Sequence, residues 1–284
     1  MPFAHVNGQK LYYEDTGGEG PVIVFSHGLL MDGSMFAPQV EALRSTWRCI
    51  TWDERGHGQT ADPARCDPFT YYDSANDLAA LLAHLGVRQA VLAGMSQGGY
   101  LSLRCALTHP DLVRALVLIN TQALPEQPEK MAGHEVLMKN WLENGLSDEI
   151  AGVVAHIILG DGWAGAPQWQ AKWRGFTVPN LMQCFTTLGS RDDISDRLGA
   201  IAVPALVVHG TLDHAIDLER AQAMADALPQ AQMVAIPGGG HAANLTHPEP
   251  VNAALKVARQ LECGGAVVNG CSKDTPTKLC AARL

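Results

Sequence analysis

Short apolar runs alternate along this chain with longer stretches in which apolar residues return every three or four positions. The apolar runs are residues 21–25, 49–52, 89–93, 115–119, 205–208 and 232–236. Continuous apolar runs of this length are typical of strands that are buried on both faces of a parallel sheet. The helical stretches are residues 34–44, 72–85, 97–108, 218–227 and 250–261. This alternation predicts an α/β protein with an open, mostly parallel, doubly wound sheet.

The two ends of the chain depart from this alternation. Residues 3–6 and 10–14 flank Asn7-Gly8, a pair that accepts positive φ in a two-residue turn, and they predict a β-hairpin. Residues 263–284 show no sustained periodicity and follow a helix that already completes the pattern. We expect them to form an irregular carboxyl-terminal tail.

The alternation is also interrupted between residues 121 and 198. Helical segments around residues 135–144 and 148–159 replace any strand pattern there. We therefore expect residues 121–198 to form a helical cap that is inserted after the sixth strand, over an α/β core of residues 1–120 and 199–262. In such a sheet, ligands bind at the carboxyl ends of the strands.

Four of the six tryptophans lie in the predicted cap. They are Trp141, Trp163, Trp169 and Trp173, and Met138 is nearby. One interpretation is that these side chains form the core of the cap itself. The other is that some of them line an apolar pocket for a bulky substrate, and these five residues are the candidates for that wall.

Composition narrows the class of protein. The chain has 284 residues, of which 47% are apolar, and a formal charge of −9. A chain of this length and apolar content can bury a sizeable core. Because its Lys and Arg residues are not clustered and its net charge is negative, we expect no nucleic-acid partner. No apolar run approaches the ~18 residues that span a bilayer, so we expect a cytoplasmic protein without a membrane partner. The seven cysteines contain no Cys-x-x-Cys pair, which indicates neither a disulfide framework nor a zinc site.

The segment G-M-S-Q-G-G at residues 94–99 lies between an apolar run and a helical stretch. A serine on a sharp strand-to-helix turn needs strained backbone angles and small residues two positions to either side, and Gly94 and Gly98 meet that need. Ser96 is therefore the candidate nucleophile. The alternative is an ordinary small residue in a tight turn.

A serine hydroxyl is a weak nucleophile at neutral pH, so it needs an imidazole to accept its proton and a carboxylate to orient that imidazole. Asp213 follows the apolar run at residues 205–208, and His241 follows the run at residues 232–236 behind three glycines. The order Ser, Asp, His is the one expected for a nucleophile on such a turn. The alternatives are Asp217 for the acid and His209, His214 or His247 for the base.

Acyl transfer also needs hydrogen-bond donors for the charge that develops on the carbonyl oxygen. The backbone N–H of Gln97, at the amino end of a helix, is one candidate, because the helix dipole favours negative charge there. The N–H of Leu29, in the loop after residues 21–25, is the other. His27 in the same loop is expected to shape the loop rather than to act as a base.

Residues 53–58, D-E-R-G-H-G, are dense in charge and glycine. They have neither the ligand spacing of a calcium loop nor a P-loop lysine, so we interpret them as a loop that is braced by ion pairs of Arg55 and Asp53. A Gly-x-Gly-x-x-Gly motif is absent after the first apolar run. We expect no cofactor and no metal.

Taken together, these motifs resemble those of the α/β-hydrolase superfamily. The matching positions, which extend to about Leu261, are His27-Gly28, residues 53–58, residues 94–98, Asp213 and His241. Some branches of that family, which cleave epoxides or haloalkanes, have aspartate where Ser96 stands, so the resemblance disfavours those reactions. The branches that keep serine include carboxylesterases, enol-lactonases, carbon–carbon bond hydrolases, cofactor-free perhydrolases and proline iminopeptidases. More narrowly, the chain is similar to EstX-type esterases of mobile gene cassettes, which are similar to macrolide esterases.

We therefore expect a serine hydrolase that cleaves carboxylic esters or lactones through an acyl-enzyme. Its expected partner is a bulky apolar small molecule, including the macrolactone of macrolide antibiotics, whose opening would confer resistance. An enol-lactonase or general carboxylesterase of small-molecule catabolism is the first alternative. A small-molecule receptor on the same fold is the second.

Overall fold

The structure, a computed structural model, describes residues 3–258. Within these residues one sheet has the strand order β1-β2-β4-β3-β5-β6-β7-β8. The strands are β1 (Phe3–Val6), β2 (Gln9–Asp15), β3 (Val22–Ser26), β4 (Arg48–Trp52), β5 (Ala90–Met95), β6 (Val113–Ile119), β7 (Ala205–Gly210) and β8 (Ala231–Ile236). β2 pairs antiparallel with β1 and β4, and all other neighbours are parallel. The predicted class, α/β with a mostly parallel doubly wound sheet, is confirmed.

Helices connect these strands. They are α1 (Ala37–Leu43), α2 (Tyr71–His84), α3 (Gln97–Thr108), α4 (Pro128–Asn144), α5 (Asp148–Leu159), α6 (Ala166–Trp173), α7 (Val178–Gly189), α8 (Leu218–Ala227), α9 (Ala243–Thr246) and α10 (Pro248–Ala258). α4 to α7 lie between β6 and β7, in the interval expected for the cap, and we propose that they form it. The expected tail, residues 263–284, and residues 259–262 lie outside the described residues.

The central strands are covered on both faces. All six residues of β5 are buried, and α3 packs against β5 and β6 while α8 packs against β7 and β8. Side chains on both faces of such a strand are buried away from water, and its sequence is therefore a continuous apolar run. Strand β2, next to the edge strand β1, is only partly buried, and its sequence mixes polar and apolar residues instead.

The parallel register brings the carboxyl ends of six strands, β3 to β8, to one edge of the sheet. Ser26 of β3, Gly94 of β5 and Leu118 of β6 lie side by side, and Gly210 of β7 pairs with Ile236 of β8. The segments that leave these ends carry all the residues proposed above for the chemistry. This edge is therefore where a ligand site is expected.

Helix α6 is fastened to the loop that follows β3. The buried Trp173 donates its Nε1–H to the Leu30 carbonyl oxygen at 2.9 Å. The Lys172 ammonium binds the Asp32 carboxylate at 2.6 Å and lies 4.3 Å from the centre of the Trp169 ring. The position of this loop thus depends on the helices between β6 and β7.

Replacing Gly98 by Ala is expected to lower the free energy of unfolding by about 1–3 kcal/mol. A Cβ there would collide with the Ser26 carbonyl oxygen, where α3 meets the end of β3. Gly152→Ala in α5 is the control, because its Cβ would meet nothing within 4 Å, and Ala should stabilise that helix by about 1 kcal/mol. Urea denaturation measures both changes, and a Gly98→Ala variant as stable as wild type would contradict the close approach.

Candidate active site

Ser96 lies on the sharp turn between β5 and α3. Its backbone has φ 51° and ψ −114°, a conformation that residues with a Cβ rarely adopt, so its surroundings must hold it. The Ser96 N–H donates to the Ile119 carbonyl oxygen at 2.9 Å, and the Ser96 carbonyl oxygen accepts the Thr121 hydroxyl at 2.8 Å. Gly94 permits the turn, because a Cβ on it would collide with the Gly98 carbonyl oxygen. The glycine pattern therefore permits the sharp strand-to-helix turn that was predicted from it.

The Asp213 carboxylate is buried and hydrogen-bonded through both oxygens. Its Oδ1 accepts the N–H groups of Ala215 and Ile216 at 2.8 and 3.0 Å. Its Oδ2 accepts Nδ2–H of Asn120 at 2.8 Å and faces Nδ1 of His241 at 2.9 Å. Burial alone would raise the pKa of Asp213, but the charge and hydrogen bond of His241 and the Asn120 amide outweigh it and lower the pKa to about 2. The carboxylate is therefore ionised at neutral pH.

His241 follows β8 and is oriented by Asp213. Because its Nδ1–H donates to the ionised carboxylate, Nε2 is the nitrogen that is left to accept a proton. The imidazole lines the same cavity as Ser96. The next residue, Ala242, donates its N–H to the Ile158 carbonyl oxygen of α5 at 2.8 Å, so a cap helix holds the same loop.

The alternative acid and bases do not line this cavity; they are Asp217, His209, His214 and His247. The Asp217 carboxylate binds the Lys130 ammonium at 2.8 Å. His209 is fully buried, with Nε2 at 2.9 Å from the Ile216 carbonyl oxygen, and burial lowers its pKa so that it stays neutral. Among these candidates, the geometry favours Asp213 and His241.

Ser96 and His241 open onto a partly enclosed cavity of about 650 Å³, a figure that includes its mouth. Most of the lining is aliphatic or aromatic: Leu29, Leu30, Met95, Leu137, Val154, Ile157, Ile158, Phe185, Leu188, Ala215 and Ile216. The further polar side chains on the wall are Tyr100, Glu126 and His134. The cavity thus favours an apolar group beside the serine.

The structure corrects the predicted pocket wall. Trp141, Trp163, Trp169, Trp173 and Met138 do not line the cavity that contains Ser96. Trp141, Trp169 and Trp173 are buried in the core, Trp163 packs against it, and Met138 lines a separate cleft between α4 and α7. The large rings fill the spaces between elements, while smaller side chains of α4, α5 and α7 face the serine.

Two backbone N–H groups lie at the positions predicted for oxyanion donors. Gln97 is the first residue of α3, so its N–H has no partner within the helix. Leu29 lines the cavity in the loop after β3. Over residues 3–258, neither N–H donates a hydrogen bond to another group of the chain. Both are free to meet a carbonyl oxygen, and their role as oxyanion donors stays a prediction.

His27 fixes the loop that carries Leu29. Its Nε2 accepts the Glu54 N–H at 2.9 Å, and its Nδ1 lies 2.8 Å from the Gly28 carbonyl oxygen. Both ring nitrogens are thereby occupied, and burial lowers the pKa of His27. These contacts are those of a residue that shapes a loop.

The ion pairs expected within residues 53–58 need a correction. Arg55 pairs with Asp77 of α2, with Nε–Oδ2 and Nη2–Oδ1 distances of 2.5 and 2.9 Å, and not with Asp53. Asp53 instead accepts the N–H groups of Gly33 and Gln59, each at 2.8 Å. The segment is held by polar contacts as expected, but the carboxylate that pairs with Arg55 lies on α2, 22 residues further along the chain.

Asn120 was missed in the sequence. It follows β6 directly with φ 47°, and its Nδ2 reaches both the Asp213 carboxylate and the Gly240 carbonyl oxygen, the latter at 3.2 Å. Asparagine tolerates positive φ better than most residues, so its place just after a strand was the available signal. Asn120 links the loop of the acid to the loop of His241.

Glu54 was also missed. Its side chain is fully buried, and Oε1 accepts Nε2–H of Gln97 at 3.3 Å. Burial raises the pKa of Glu54 to about 8. A neutral carboxylic acid therefore contacts the side chain of Gln97, the residue that follows Ser96.

The described residues contain no group of three or more His, Cys, Asp or Glu side chains that could hold a metal ion. Over the same part of the chain, no helix has the length and apolar character that crossing a bilayer requires.

Comparison with known proteins gives a consistent picture. Residues 21–146 and 159–248 match the family described as alpha/beta hydrolase fold. The chain is 29% identical over 254 residues to the proposed carbamate hydrolase RutD of Caulobacter sp. (strain K31), with 86% of this chain and 94% of that protein covered. It is similar to an esterase from Thermogutta terrifontis (28% identity, TM-score 0.80, 92% and 98% covered). It is also similar to the enol-lactonase from Burkholderia xenovorans LB400 (28% identity, TM-score 0.79, 90% and 98% covered).

The buried Glu54 predicts a pH-dependent stability. Its pKa of about 8 in the folded chain exceeds the value of about 4.3 for an unfolded chain, so the folded state binds more protons between these values. Stability should therefore fall as pH rises through this window, by at most about 1.4 kcal/mol per pH unit. The Glu54→Gln variant has no carboxyl group to ionise. The difference between its free energy of unfolding and that of wild type should therefore increase with pH and level off above about pH 8.

Urea unfolding across this pH range, with the exposed Glu41→Gln as control, measures the difference. An advantage of Glu54→Gln that does not change with pH would show that Glu54 is ionised throughout.

Proposed function

Since this chain belongs to the alpha/beta hydrolase fold family, we propose that it is a serine hydrolase that cleaves carboxylic esters or lactones through an acyl-enzyme on Ser96. The observation that carries this proposal is the hydrogen bond between Asp213 and His241, because it orients an imidazole whose other nitrogen shares an apolar cavity with a serine on a strained turn. If these residues served only in packing, an oriented imidazole, a cavity shared with the serine and a strained turn at that serine would not be needed together.

The proposed reaction begins with attack of the Ser96 hydroxyl oxygen on the substrate carbonyl carbon, while Nε2 of His241 accepts the hydroxyl proton. The N–H groups of Leu29 and Gln97 stabilise the negative charge on the carbonyl oxygen. Collapse of this intermediate breaks the ester bond, and His241 returns the proton to the leaving alcohol. A water molecule, deprotonated by His241, then attacks the acyl-enzyme and releases the acid and Ser96.

The cavity supports an ester or lactone with an apolar body. Eleven apolar residues line the cavity that contains Ser96, beside the polar side chains of Tyr100, Glu126 and His134, so most of the wall offers a carbamoyl group no hydrogen-bond partner. An ester carbonyl needs only the two N–H groups, and its alkyl portion gains from burial. The named enol-lactonase and esterase relatives fit this chemistry better than the carbamate hydrolase name does.

We extend the proposal to bulky lactones, with the macrolactone of macrolide antibiotics as the largest. The support is the resemblance to gene-cassette esterases and a cavity that shares lining residues with two wider clefts between helices α4, α5 and α7. Ring opening would remove the shape by which such an antibiotic is recognised. An enol-lactone or a small carboxylic ester is the alternative substrate within the same mechanism.

Purified protein is expected to hydrolyse p-nitrophenyl esters and at least one lactone of a panel that includes enol-lactones and macrolactones. Ser96→Ala should lower kcat by at least about 10⁴-fold, because the nucleophile is lost. Ser45→Ala, an exposed serine, is the matched control and should keep wild-type activity. Mass spectrometry of products, read for the addition of water, measures the outcome.

Hydrolysis that survives in Ser96→Ala would refute the proposal. Esters turned over without any macrolactone would remove only the antibiotic substrate. Lactone binding without turnover would instead favour a receptor on the same fold.

A further inference from the structure

The catalytic cavity shares part of its wall with a wider cleft between α4 and α5. Four residues line both spaces: His134 and Leu137 of α4, Ile157 of α5 and Ala215 of the loop after β7. The cleft holds about 1300 Å³, a figure that includes its opening to solvent. Because the same side chains border both spaces, the cleft adjoins the cavity along these four residues.

The cleft is built in part from residues outside the family match. That match omits residues 147–158, which cover all of α5 except its last residue. The features that the family shares therefore do not determine this wall. It is a place where the chain can hold a specificity of its own.

His134 stands at the junction with a polar atom that has no partner. Its Nδ1 is buried and makes no hydrogen bond among the described residues. The charged groups that influence it are engaged elsewhere: Glu126 pairs with Arg191 at 3.4 Å, and Lys130 pairs with Asp217 at 2.8 Å. Burial lowers the pKa of His134, so the ring is neutral at neutral pH. A hydroxyl or amide of a substrate would satisfy this nitrogen.

The walls of the cleft suit an uncharged, amphipathic group. Val136 and Val153, on its two walls, expose 63% and 44% of their surface. The amides of Asn140 and Asn144 lie among them. Of the two charged residues on the walls, Lys130 has a carboxylate partner and Glu149 is exposed to solvent. Apolar surface with hydrogen-bonding edges fits a bulky alcohol that carries a polar substituent.

The position of the cleft indicates which part of the substrate it takes. Ala215, in the shared wall, donates its N–H to the Asp213 carboxylate that orients His241. The cleft therefore begins on the His241 side of the cavity. The alcohol leaves on this side, because His241 must protonate it.

We propose that this cleft is the alcohol subsite of the protein, and that His134 selects esters or lactones whose alcohol portion is bulky, uncharged and equipped with a hydroxyl or amide. The inference rests on the function proposed above and names the substrate class of the same site.

Three butanoate esters test the subsite: ethyl butanoate, benzamidoethyl butanoate and the equally long phenylbutyl butanoate, which lacks the amide. The kcat/KM of wild type should be about tenfold higher for benzamidoethyl butanoate than for phenylbutyl butanoate. This ratio corresponds to about 1.4 kcal/mol. His134→Phe should abolish this preference mainly through KM. His134→Gln should restore part of it, because an amide side chain can still form a hydrogen bond.

The size of the subsite is tested by a matched pair of tryptophan variants on α4. Val136→Trp fills the cleft and should lower the kcat/KM ratio of each bulky ester to ethyl butanoate by at least about tenfold. Ala132→Trp places the same side chain at an exposed position outside the cleft and should leave all three rates unchanged. Equal effects of the two variants, or a preference that survives in His134→Phe, would overturn the inference.

Binding of free benzamidoethanol to Ser96→Ala, measured by calorimetry, examines the cleft without turnover. Adding His134→Phe or Val136→Trp should weaken this binding about tenfold, and unchanged binding would overturn the inference. If no ester is hydrolysed, the proposed function fails, while calorimetry still decides whether the cleft binds the alcohol.

Discussion

One hydrogen bond, from Nδ1 of His241 to the Asp213 carboxylate, holds together the chemistry proposed for this protein. A buried carboxylate is costly unless hydrogen bonds or charges compensate it. Here the compensation comes from two backbone N–H groups, the Asn120 amide and the imidazole itself. The same contacts tie together the segments that follow β6, β7 and β8. The sheet brings these segments together because its strands are parallel and end at one edge.

The cap helices contribute to the alignment as well as to the cavity. α5 accepts a hydrogen bond from Ala242, the neighbour of His241, and α6 donates one to Leu30, the neighbour of Leu29. The proposed base and one proposed oxyanion donor are thus each one residue away from a contact with the cap. Cap position and the geometry around Ser96 are therefore coupled. In the proposed mechanism, a substrate beneath the proposed cap would contact loops that also carry the proposed reacting groups.

The sequence predicted those parts of the protein that local rules control. Continuous apolar runs identified the parallel strands, and the glycines around Ser96 identified a turn whose strained angles the structure shows. Asp213 and His241 were proposed because a parallel sheet gathers the ends of its strands, and the structure places their side chains within hydrogen-bond distance. These rules need only short stretches of chain.

The remaining features depend on contacts between distant segments. The tryptophans of the cap were expected to be buried, but which surface they cover depends on how the helices pack against each other. Arg55 pairs with Asp77 because α2 lies beside its loop, and no local pattern contains that information. No local pattern distinguishes His134, because a single histidine on a helix gains significance only from its surroundings, here a buried Nδ1 where two cavities adjoin.

The most direct test of the central claim is the rate at which a fluorophosphonate labels Ser96, because this reaction needs an activated serine but no recognition of a particular substrate. Peptide mapping identifies the labelled residue in wild type, Asp213→Asn and the neighbouring Asp217→Asn. The account predicts equal labelling of Ser96 in wild type and Asp217→Asn, and labelling at least about 10³-fold slower in Asp213→Asn, where His241 would be held in the wrong tautomer. A label on another residue, or an Asp213→Asn rate equal to that of wild type, would contradict it.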